Sequence, residues 1–368
     1  MIDIGEVLKQ LSETPGPSGY EGPVADALEA LWSPFVDAMK RDRVGSLLAT
    51  KHGEGDEPRP KILLAAHMDE IGLMVKQIVQ EPDETGGNGF LRVTSVGGVD
   101  VRHLFGQMVV VHGTGEKGGD AVGIMGALPA RMLPEPKRSK AFDFEDLVVD
   151  IGSSYEQLLT MVNVGDFISF RQPMRELLNR RVTGKALDNR ASLAAMTVCL
   201  EYLRGRRHSW DVIAVATAQE ETSLLGAFTS AFAEEPEAAI AIDVTFGKGP
   251  GATGELAYEL GGGPAIGLGP NFHPGMIETI KEAARALEMK AHDEPQARPG
   301  GTDAYALQIA RQGIPTGLVS IPLRYMHTMV ESVALVDIER TGRLLGEFVA
   351  RLDGSFLDRI AREMMDDE

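Results

Sequence analysis

Acidic and imidazole side chains directly follow short apolar runs at several separate places in this chain. They are His67, Asp69, Asp188, Glu220, Glu221, Asp243 and His327. Carboxylates and imidazoles bind borderline divalent metals and also move protons in hydrolysis. Because the apolar runs resemble buried strands, one edge of a sheet could bring these residues together. The set is what a two-metal hydrolytic site requires.

The spacing His67-Met68-Asp69 places an imidazole and a carboxylate on the same side of a strand end, because residues i and i+2 of a strand face the same way. The apolar run Lys61 to Ala66 precedes them. A ligating histidine usually donates its second ring N–H to a carboxylate, which fixes its tautomer. Taken alone, however, a capping aspartate beside a structural histidine explains this pair more often than a metal site does.

Glu220 and Glu221 follow the apolar run 212–218. Two adjacent carboxylates at the exit of a buried strand are costly unless they are paired or bound to metal. Such a dyad allows one carboxylate to hold a metal while its neighbour acts as general base towards a water. A solvated helix start, stabilised by the helix dipole, explains the pair equally well in isolation.

The other three candidates also have ordinary structural explanations. Asp188 precedes a predicted helix and could be its N-cap, although its two oxygens could instead bridge two cations. Asp243 ends the apolar run 238–243, where α/β sheets bind ligands, but it could be a turn residue. His327 follows a strand-like segment, where a lone histidine is usually structural. The convergence of separate segments favours a site for Zn²⁺, Co²⁺ or Mn²⁺, since no thiolate is among the candidates.

Composition excludes several functional classes. Lys and Arg total 36 and Asp and Glu total 54, giving a net charge of −18 without any basic stripe. We therefore expect no nucleic-acid partner. No apolar run reaches the length of about 18 residues that a membrane span needs. A single cysteine, Cys199, and an N-terminus without a basic and apolar leader favour a reducing cytoplasm.

The order of strand-like and helix-like segments predicts an α/β domain that contains an insertion. From about Leu73 to about Arg180, short strand-like pieces separated by turn residues predict a small β-rich domain. Its charged, Pro-containing stretch 135–145 is interpreted as a mobile loop. On either side, helices alternate with apolar strands, which predicts a mixed central sheet flanked by helices. The predicted division is 1–72 with 181–368 for the catalytic domain and 73–180 for the insertion.

The second half of the chain gives the clearest alternation of elements. The predicted helices are 189–204, 222–233, 275–288, 302–311 and 336–351. The predicted strands between them are 212–218, 238–243 and 315–322.

Stretches in the same order along nearly the whole chain resemble the M42 family of metallo-aminopeptidases, the tetrahedral and glutamyl aminopeptidase group. They are AAHMDEIGLMV, VGGVD, GQMVVVHG, DLVVDIG, VGDF, KALDNRAS, QEE, AIDV, GGTDA and IPLRYMHTMVES. The resemblance implies a catalytic α/β domain with an inserted PDZ-like β domain used for assembly. It also implies peptide substrates, two divalent metal ions per subunit and a homo-oligomer, up to a tetrahedral dodecamer.

The same resemblance divides the candidate ligands between two metals. His67 and Asp243 would hold one ion, and Glu221 and His327 would hold the other. Asp188 would bridge them, and the peptide bond that follows it would be cis.

The remaining roles that the resemblance implies concern protons and substrate. Glu220 would be the general base, and Asp69 would orient His67. Three residues are implied to lie near the substrate: Thr302, Asp303 and Arg324.

Two short segments depart from the family pattern. Ser-Pro often follows the histidine of the RYMH stretch, where this chain has Thr328 and Met329. Val-Gly-Leu often follows QEE, where it has Thr222, Ser223 and Leu224. Neither departure removes a ligand, so each affects the shape of the pocket rather than the reaction.

Other functions remain open at the level of the sequence. A dimetal carboxypeptidase or amide deacylase uses the same ligand types but recognises a carboxylate end, usually through an arginine. An endoglucanase ranks lower, because glycoside hydrolysis uses two carboxylates flanking the bond and needs no dimetal centre. A non-catalytic scaffold would agree with the β-rich insertion and the acidic surface, but the complete ligand set argues against it.

Overall fold

The chain folds around two separate sheets. The structure, a computed structural model, describes residues 2–80, 87–128, 130–132, 135, 140, 143–254 and 256–363. Within them the helices are α1 (Ile4–Glu13), α2 (Gly22–Trp32), α3 (Tyr155–Met161), α4 (Leu187–Leu203), α5 (Glu220–Ser223), α6 (Leu225–Glu234), α7 (Pro274–Ala286), α8 (Asp303–Gln308), α9 (Leu335–Ala350) and α10 (Phe356–Glu363). None of these described helices combines the length and apolar character of a membrane span.

The strands, like the helices, are numbered in chain order. They are β1 (Ala38–Arg41), β2 (Leu47–Lys51), β3 (Lys61–His67), β4 (Gly72–Gln80), β5 (Gly89–Val96), β6 (Met108–Gly113), β7 (Gly119–Ala127), β8 (Leu147–Asp150), β9 (Phe167–Phe170), β10 (Arg175–Leu177), β11 (Arg181–Gly184), β12 (Asp211–Thr217), β13 (Ala238–Phe246), β14 (Ala265–Leu268), β15 (His292–Pro295), β16 (Thr316–Arg324) and β17 (Glu331–Ala334).

The larger sheet is mixed. Its strands lie in the order β1-β2-β12-β3-β13-β16-β17-β11-β10, and β14 and β15 continue from β16 on a side branch. The four central strands β12, β3, β13 and β16 run parallel to one another, whereas β2 and β17 are antiparallel to their neighbours. The predicted mixed central sheet with flanking helices is therefore confirmed.

Successive residues of the parallel strands face two different cores, as the twofold period of a strand requires. Ile62 and Leu64 of β3 belong to a core that also contains residues of α4 and α9. Leu63 and Ala65 belong to a second core, which α6 and α8 complete. Burial on both faces explains why these strands are continuous apolar runs rather than alternating ones.

The second sheet is a closed barrel formed by β4-β5-β8-β7-β6-β9. Each neighbouring pair is antiparallel, and the barrel encloses its own apolar core, which includes Leu73, Val93 and Met125. All its strands lie between Gly72 and Phe170 in the chain. Most of the stretch 135–145, interpreted from the sequence as a loop, lies outside the described residues.

Residues outside the barrel pack against it at two places. The ring of Tyr20, between α1 and α2, stacks on His112 of β6 with the ring centroids 4.5 Å apart. Met329 follows β16 in sequence but is buried among the core residues of the barrel. The barrel is thus attached to both ends of the chain that surrounds it.

Several predicted elements are confirmed and one is divided. The predicted strand 212–218 corresponds to β12, and the predicted helix 189–204 to α4. The segment 222–233, predicted as one helix, forms α5 and α6, which meet at Leu224. Leu224 has a φ of 56°, a left-handed conformation that an α-helix cannot contain.

A buried ion pair connects the loop after β3 to the segment before α4. The Nζ atom of Lys185 lies 2.8 Å from both carboxylate oxygens of Glu70, and both side chains are almost completely buried. Glu70 also accepts a hydrogen bond from the main-chain N–H of Gly16. Burial lowers the pKa of Lys185, so the lysine depends on Glu70 to remain charged.

We expect Lys185→Met to lower the free energy of unfolding by about 3–5 kcal/mol, because it leaves the Glu70 carboxylate buried without its partner. Lys9→Met is the matched control, since Lys9 pairs with Glu13 at the surface and such pairs contribute at most about 1 kcal/mol. Chemical denaturation followed by circular dichroism measures both. Equal effects of the two substitutions would contradict the importance of the buried pair.

Candidate metal centre

The carboxyl ends of the parallel strands bring three of the candidate side chains to one edge of the large sheet. His67 is the last residue of β3 and is paired in register with Thr217 at the end of β12. Glu220 follows three residues after that strand end and begins α5. Asp243 lies within β13, opposite Ser320 of β16. Parallel strands place their carboxyl ends on the same side, so this convergence follows from the topology.

Irregular backbone brings the other candidates to the same edge. Asp188 opens α4 with a non-helical φ of −80° and ψ of 102°, and the peptide bond to Asn189 is cis, as the resemblance implies. His327 lies in the turn after β16 with a φ of 60°. Residues other than glycine rarely adopt this left-handed conformation, and those that do are concentrated at functional sites.

Asp188 lies between two groups of potential ligands. Its Oδ1 atom is 3.1 Å from Nε2 of His67, which in turn lies 3.9 Å from Oδ1 of Asp243. Its Oδ2 atom is 3.5 Å from Nε2 of His327, which lies 3.5 Å from Oε1 of Glu221. Within each group the donor atoms all lie within 4.8 Å of one another. One carboxylate is therefore shared by two sets of donors.

The protonation of these groups fits a site that holds cations. Burial, together with the neighbouring Asp188, raises the pKa of Glu221 to about 7. Burial also raises the pKa of Asp243 well above its ordinary value. In the absence of added positive charge, these carboxylates would hold protons rather than remain ionised. Imidazole nitrogens and carboxylate oxygens are suitable ligands for divalent metals, so the residues present fit such ions.

The surrounding carboxylates favour the protonated, charged form of both histidines. Burial alone would lower the pKa of His67, but Glu220, Asp188 and Asp69 raise it well above its ordinary value. The contact with Asp188 raises the pKa of His327 to about 9. Without a metal, therefore, both rings would be protonated and would partly neutralise the cluster.

Glu220 belongs to neither group of donors, although it lies beside the first, which contains His67 and Asp243. Its Oε2 atom is 3.9 Å from Nε2 of His67, and its side chain lines the adjacent cavity. Burial raises its pKa to about 10. A carboxyl group that readily holds a proton beside a metal centre is suited to proton transfer.

Asp69 contacts both the histidine and the glutamate pair. Nδ1 of His67 lies 3.2 Å from the main-chain carbonyl oxygen of Asp69 and 3.5 Å from its Oδ1. The two carboxylate oxygens accept hydrogen bonds of 3.1 Å from the main-chain N–H groups of Glu220 and Glu221. Asp69 can thus orient the His67 ring and also fix the start of α5. The second contact was not anticipated from the sequence.

Glu331 is a positioning residue that the sequence reasoning missed. Its fully buried carboxylate accepts hydrogen bonds from the main-chain N–H of Asp188, at 3.0 Å, and of His327, at 2.8 Å. It thereby connects the two turns that carry the bridging carboxylate and the second histidine. The only signal in the sequence was its place in the HTMVES stretch, four residues after His327.

A cavity of about 1030 Å³ opens beside the cluster, and Glu220, Thr302, Phe228 and Tyr305 are among its lining residues. Asp303 is buried next to Thr302 and accepts a hydrogen bond of 2.5 Å from the hydroxyl of Thr217. Within the described part of the chain its second oxygen has no hydrogen-bond partner. Burial raises the pKa of Asp303 to about 6.

Arg324 is placed differently from Thr302. Its Nε–H donates a hydrogen bond to the main-chain carbonyl of Lys248, and it is not among the residues that line the cavity. Thr222, where the sequence departs from the family pattern, lies at the mouth of the site, and its hydroxyl is 3.1 Å from that of Ser18.

Comparison with known proteins agrees with this geometry. Residues 45–344 match the sequence profile of the M42 glutamyl aminopeptidase family. The chain belongs to this family. It is therefore a hydrolase that acts on peptide bonds, as the sequence analysis predicted. The matched region includes all seven residues of the candidate centre.

Individual M42 relatives cover almost the whole chain. The lysyl aminopeptidase of Pyrococcus furiosus is 36% identical over 348 residues, which are 94% of this chain and 96% of the relative. The structure of the TET aminopeptidase of a marine-sediment Thaumarchaeota archaeon matches with a TM-score of 0.88 and 30% identity, over 97% and 98% of the two chains. The TET1 peptidase of Pyrococcus horikoshii matches with a TM-score of 0.81 and 32% identity, over 95% and 100%.

We expect the metal-free M42 protein to lose stability as the pH rises from about 6 to about 9. The pKa of Glu221 is raised from 4.5 to about 7, and that of His327 from 6.5 to about 9. The folded state therefore binds more protons than the unfolded state in this range, and stability falls with increasing pH. The pKa of Asp188 is lowered. Its contribution to stability therefore rises with pH, but only in the acidic range.

The melting temperature of chelator-treated protein, recorded by circular dichroism across this range, tests the expectation. Saturating Zn²⁺ serves as the control, because bound cations replace the protons and should reduce the slope. A melting temperature that rises with pH in the metal-free protein would contradict the assignment of the cluster.

Proposed function

We propose that this M42 protein is an aminopeptidase that removes N-terminal residues from peptides at a centre of two divalent metal ions. The observation that supports it best is the position of Asp188, whose two oxygens face separate groups of donors. Zn²⁺ and Co²⁺ are the proposed ions, with Mn²⁺ as a third candidate, because the donors are imidazoles and carboxylates without thiolates.

The proposed ligands divide as the distances suggest. His67 and Asp243 hold the first ion, and Glu221 and His327 hold the second. Asp188 would contribute one oxygen to each group. When bound, the ions polarise the scissile carbonyl group and acidify the water that attacks it.

Glu220 is the proposed general base and general acid. Its carboxylate accepts a proton from the attacking water, whose oxygen forms a bond to the carbonyl carbon. When the carbon–nitrogen bond breaks, Glu220 returns that proton to the leaving amine. Its burial favours the protonated state, while positive charge beside it lowers its pKa from the metal-free value of about 10. These opposing effects allow Glu220 to accept and then release a proton.

The cavity beside the cluster is the proposed binding site for the N-terminal part of the substrate. The carboxylates make it electronegative, which suits the free amine of a peptide. Thr302 lines the cavity, and the adjacent Asp303 has one oxygen that accepts no hydrogen bond from the residues that the structure describes. We retain Arg324 as a third candidate near the substrate, although its side chain is bonded to Lys248.

We further propose that residues 1–72 and 181–368 form the catalytic domain and that residues 73–180 form a PDZ-like domain that mediates assembly into a homo-oligomer. The TET1 peptidase of Pyrococcus horikoshii can assemble into a tetrahedron or a large octahedral shell. The barrel also exposes apolar side chains that pair across β6 and β7, including Met108, Val122 and Ile124. Exposed apolar surface of this kind is typical of protein interfaces.

We expect Glu220→Gln to reduce kcat by about 10²–10⁴-fold, because the amide cannot carry the proton. Since Glu220 is not a proposed ligand, the variant should retain the metal content of the wild type. Glu221→Gln is the matched comparison at the adjacent position and should instead weaken metal binding. Steady-state kinetics together with metal analysis measure both effects. A Glu220→Gln protein that binds its metals and retains the wild-type rate would sink the proposed role.

We expect hydrolysis of substrates with a free N-terminus and little or none after N-acetylation, because the acidic cavity selects a free amine. A panel of aminoacyl chromogenic substrates, each with its acetylated counterpart, tests this on enzyme reconstituted separately with Zn²⁺, Co²⁺ and Mn²⁺. Equal cleavage of acetylated substrates would favour an amide deacylase. Failure to cleave any substrate would favour a non-catalytic scaffold.

A further inference from the structure

The VGGVD stretch, which the catalytic account does not use, lies directly against the second group of ligands. Gly97 and Gly98 follow β5, a strand of the barrel. Gly97 has a φ of 77°, and a Cβ atom added to it would lie 3.3 Å from Oε2 of Glu221. Gly98 lines the cavity beside His327. The barrel thus reaches the candidate metal centre through a pair of glycines.

Gly98 leaves no room for a side chain beside the imidazole ring. A Cβ atom at this position would lie 2.6 Å from Nδ1 and 2.9 Å from Cε1 of His327. Its φ lies outside the left-handed region, so alanine fits the backbone there and conflicts only with the ring. The opposite ring nitrogen, Nε2, faces Asp188 and Glu221. Displacing the ring would therefore change the distances within the second donor group.

Met329 provides a second and independent contact between the barrel and the same turn. It lies two residues after His327 and is 3% exposed. Its side chain belongs to the barrel core, together with residues such as Leu73 and Val93. This is one of the positions where the chain departs from the Ser-Pro of the family pattern. The departure places a long apolar side chain where it can attach the turn to the barrel.

We propose that Gly98 and Met329 are positioning residues through which the barrel fixes His327, and hence the affinity of the second metal site. The inference rests on the proposed dimetal function and assigns the barrel a role within the active site. The first site depends on His67 and Asp243, which β3 and β13 of the large sheet carry. Changes at Gly98 or Met329 should consequently weaken one binding step and leave the other intact.

Calorimetric titration of the metal-free, full-length protein with Zn²⁺ tests the proposal without relying on activity. The wild type should bind two ions. Gly98→Ala and Met329→Ala should each weaken one of the two steps by about 10–100-fold, the usual effect of removing support behind a ligand. Met329→Leu, which nearly conserves volume, should stay close to the wild type.

Two control variants separate positioning from general destabilisation of the barrel. Met125→Ala removes the same side chain from the same core, where Met125 is fully buried. Gly126→Ala adds a Cβ atom to a barrel strand where the nearest atoms are 4.0 Å away. Both controls should retain two binding steps of wild-type affinity. If Gly98→Ala does not fold, the Met329 variants still test the proposal. Met329→Ala should then weaken one binding step, whereas Met329→Leu and Met125→Ala should not.

The outcomes distinguish this proposal from the function on which it rests. A wild-type protein that binds fewer than two ions contradicts both. A wild type with two steps, both of which keep their affinity in Gly98→Ala and Met329→Ala, overturns the positioning role alone. An equal loss in Met329→Ala and Met125→Ala also overturns it, because a weakened barrel would then account for the effect.

Discussion

Repulsion between buried carboxylates is the constraint on which the rest of the site depends. Asp188, Glu220, Glu221 and Asp243 lie close together at one edge of a sheet, and their side chains are largely buried. Like charges held in this way can persist only if protons or cations lie between them. Burial first, and repulsion from neighbouring carboxylates second, raises the pKa of Glu220, Glu221 and Asp243. Bound divalent ions would favour the ionised forms of these groups and so keep the charges that the proposed catalysis uses.

Three parts of the fold bring the residues of the site together. The parallel strands carry His67 and Asp243, and turns with irregular backbone carry Asp188 and His327. The left-handed conformation of His327 costs roughly 1–3 kcal/mol, and the two large apolar cores of the main sheet can offset that cost. The barrel is the third part, because Gly98, which follows β5, borders the ring of His327. The site is therefore a property of the whole chain rather than of one motif.

Those parts of the site that depend on local pattern could be predicted from the sequence. His67 and Glu220 follow apolar strands that are parallel in the sheet, so their convergence could be expected from strand order alone. The division of the predicted helix 222–233 at Leu224 could not be predicted, because a leucine in the sequence does not indicate a left-handed conformation. Edge strands such as β15, with the polar sequence HDEP, also lack the apolar signal of a buried strand.

Long-range support was the least predictable feature. Glu331 binds the main chain of Asp188 across 143 positions of sequence, and an isolated glutamate has no local pattern that reveals such a partner. The resemblance to the M42 family supplied the ligand set but not these contacts. These contacts form between residues that are distant in sequence and close only in the folded protein, so local sequence patterns do not reveal them.

Locating the bound metals in a crystal of the reconstituted enzyme tests the central claim most directly. Anomalous diffraction at the zinc edge should give two peaks in each chain, one beside His67 and Asp243 and one beside Glu221 and His327. Asp188 should contact both peaks. A single peak, or peaks located away from Asp188, would contradict the account.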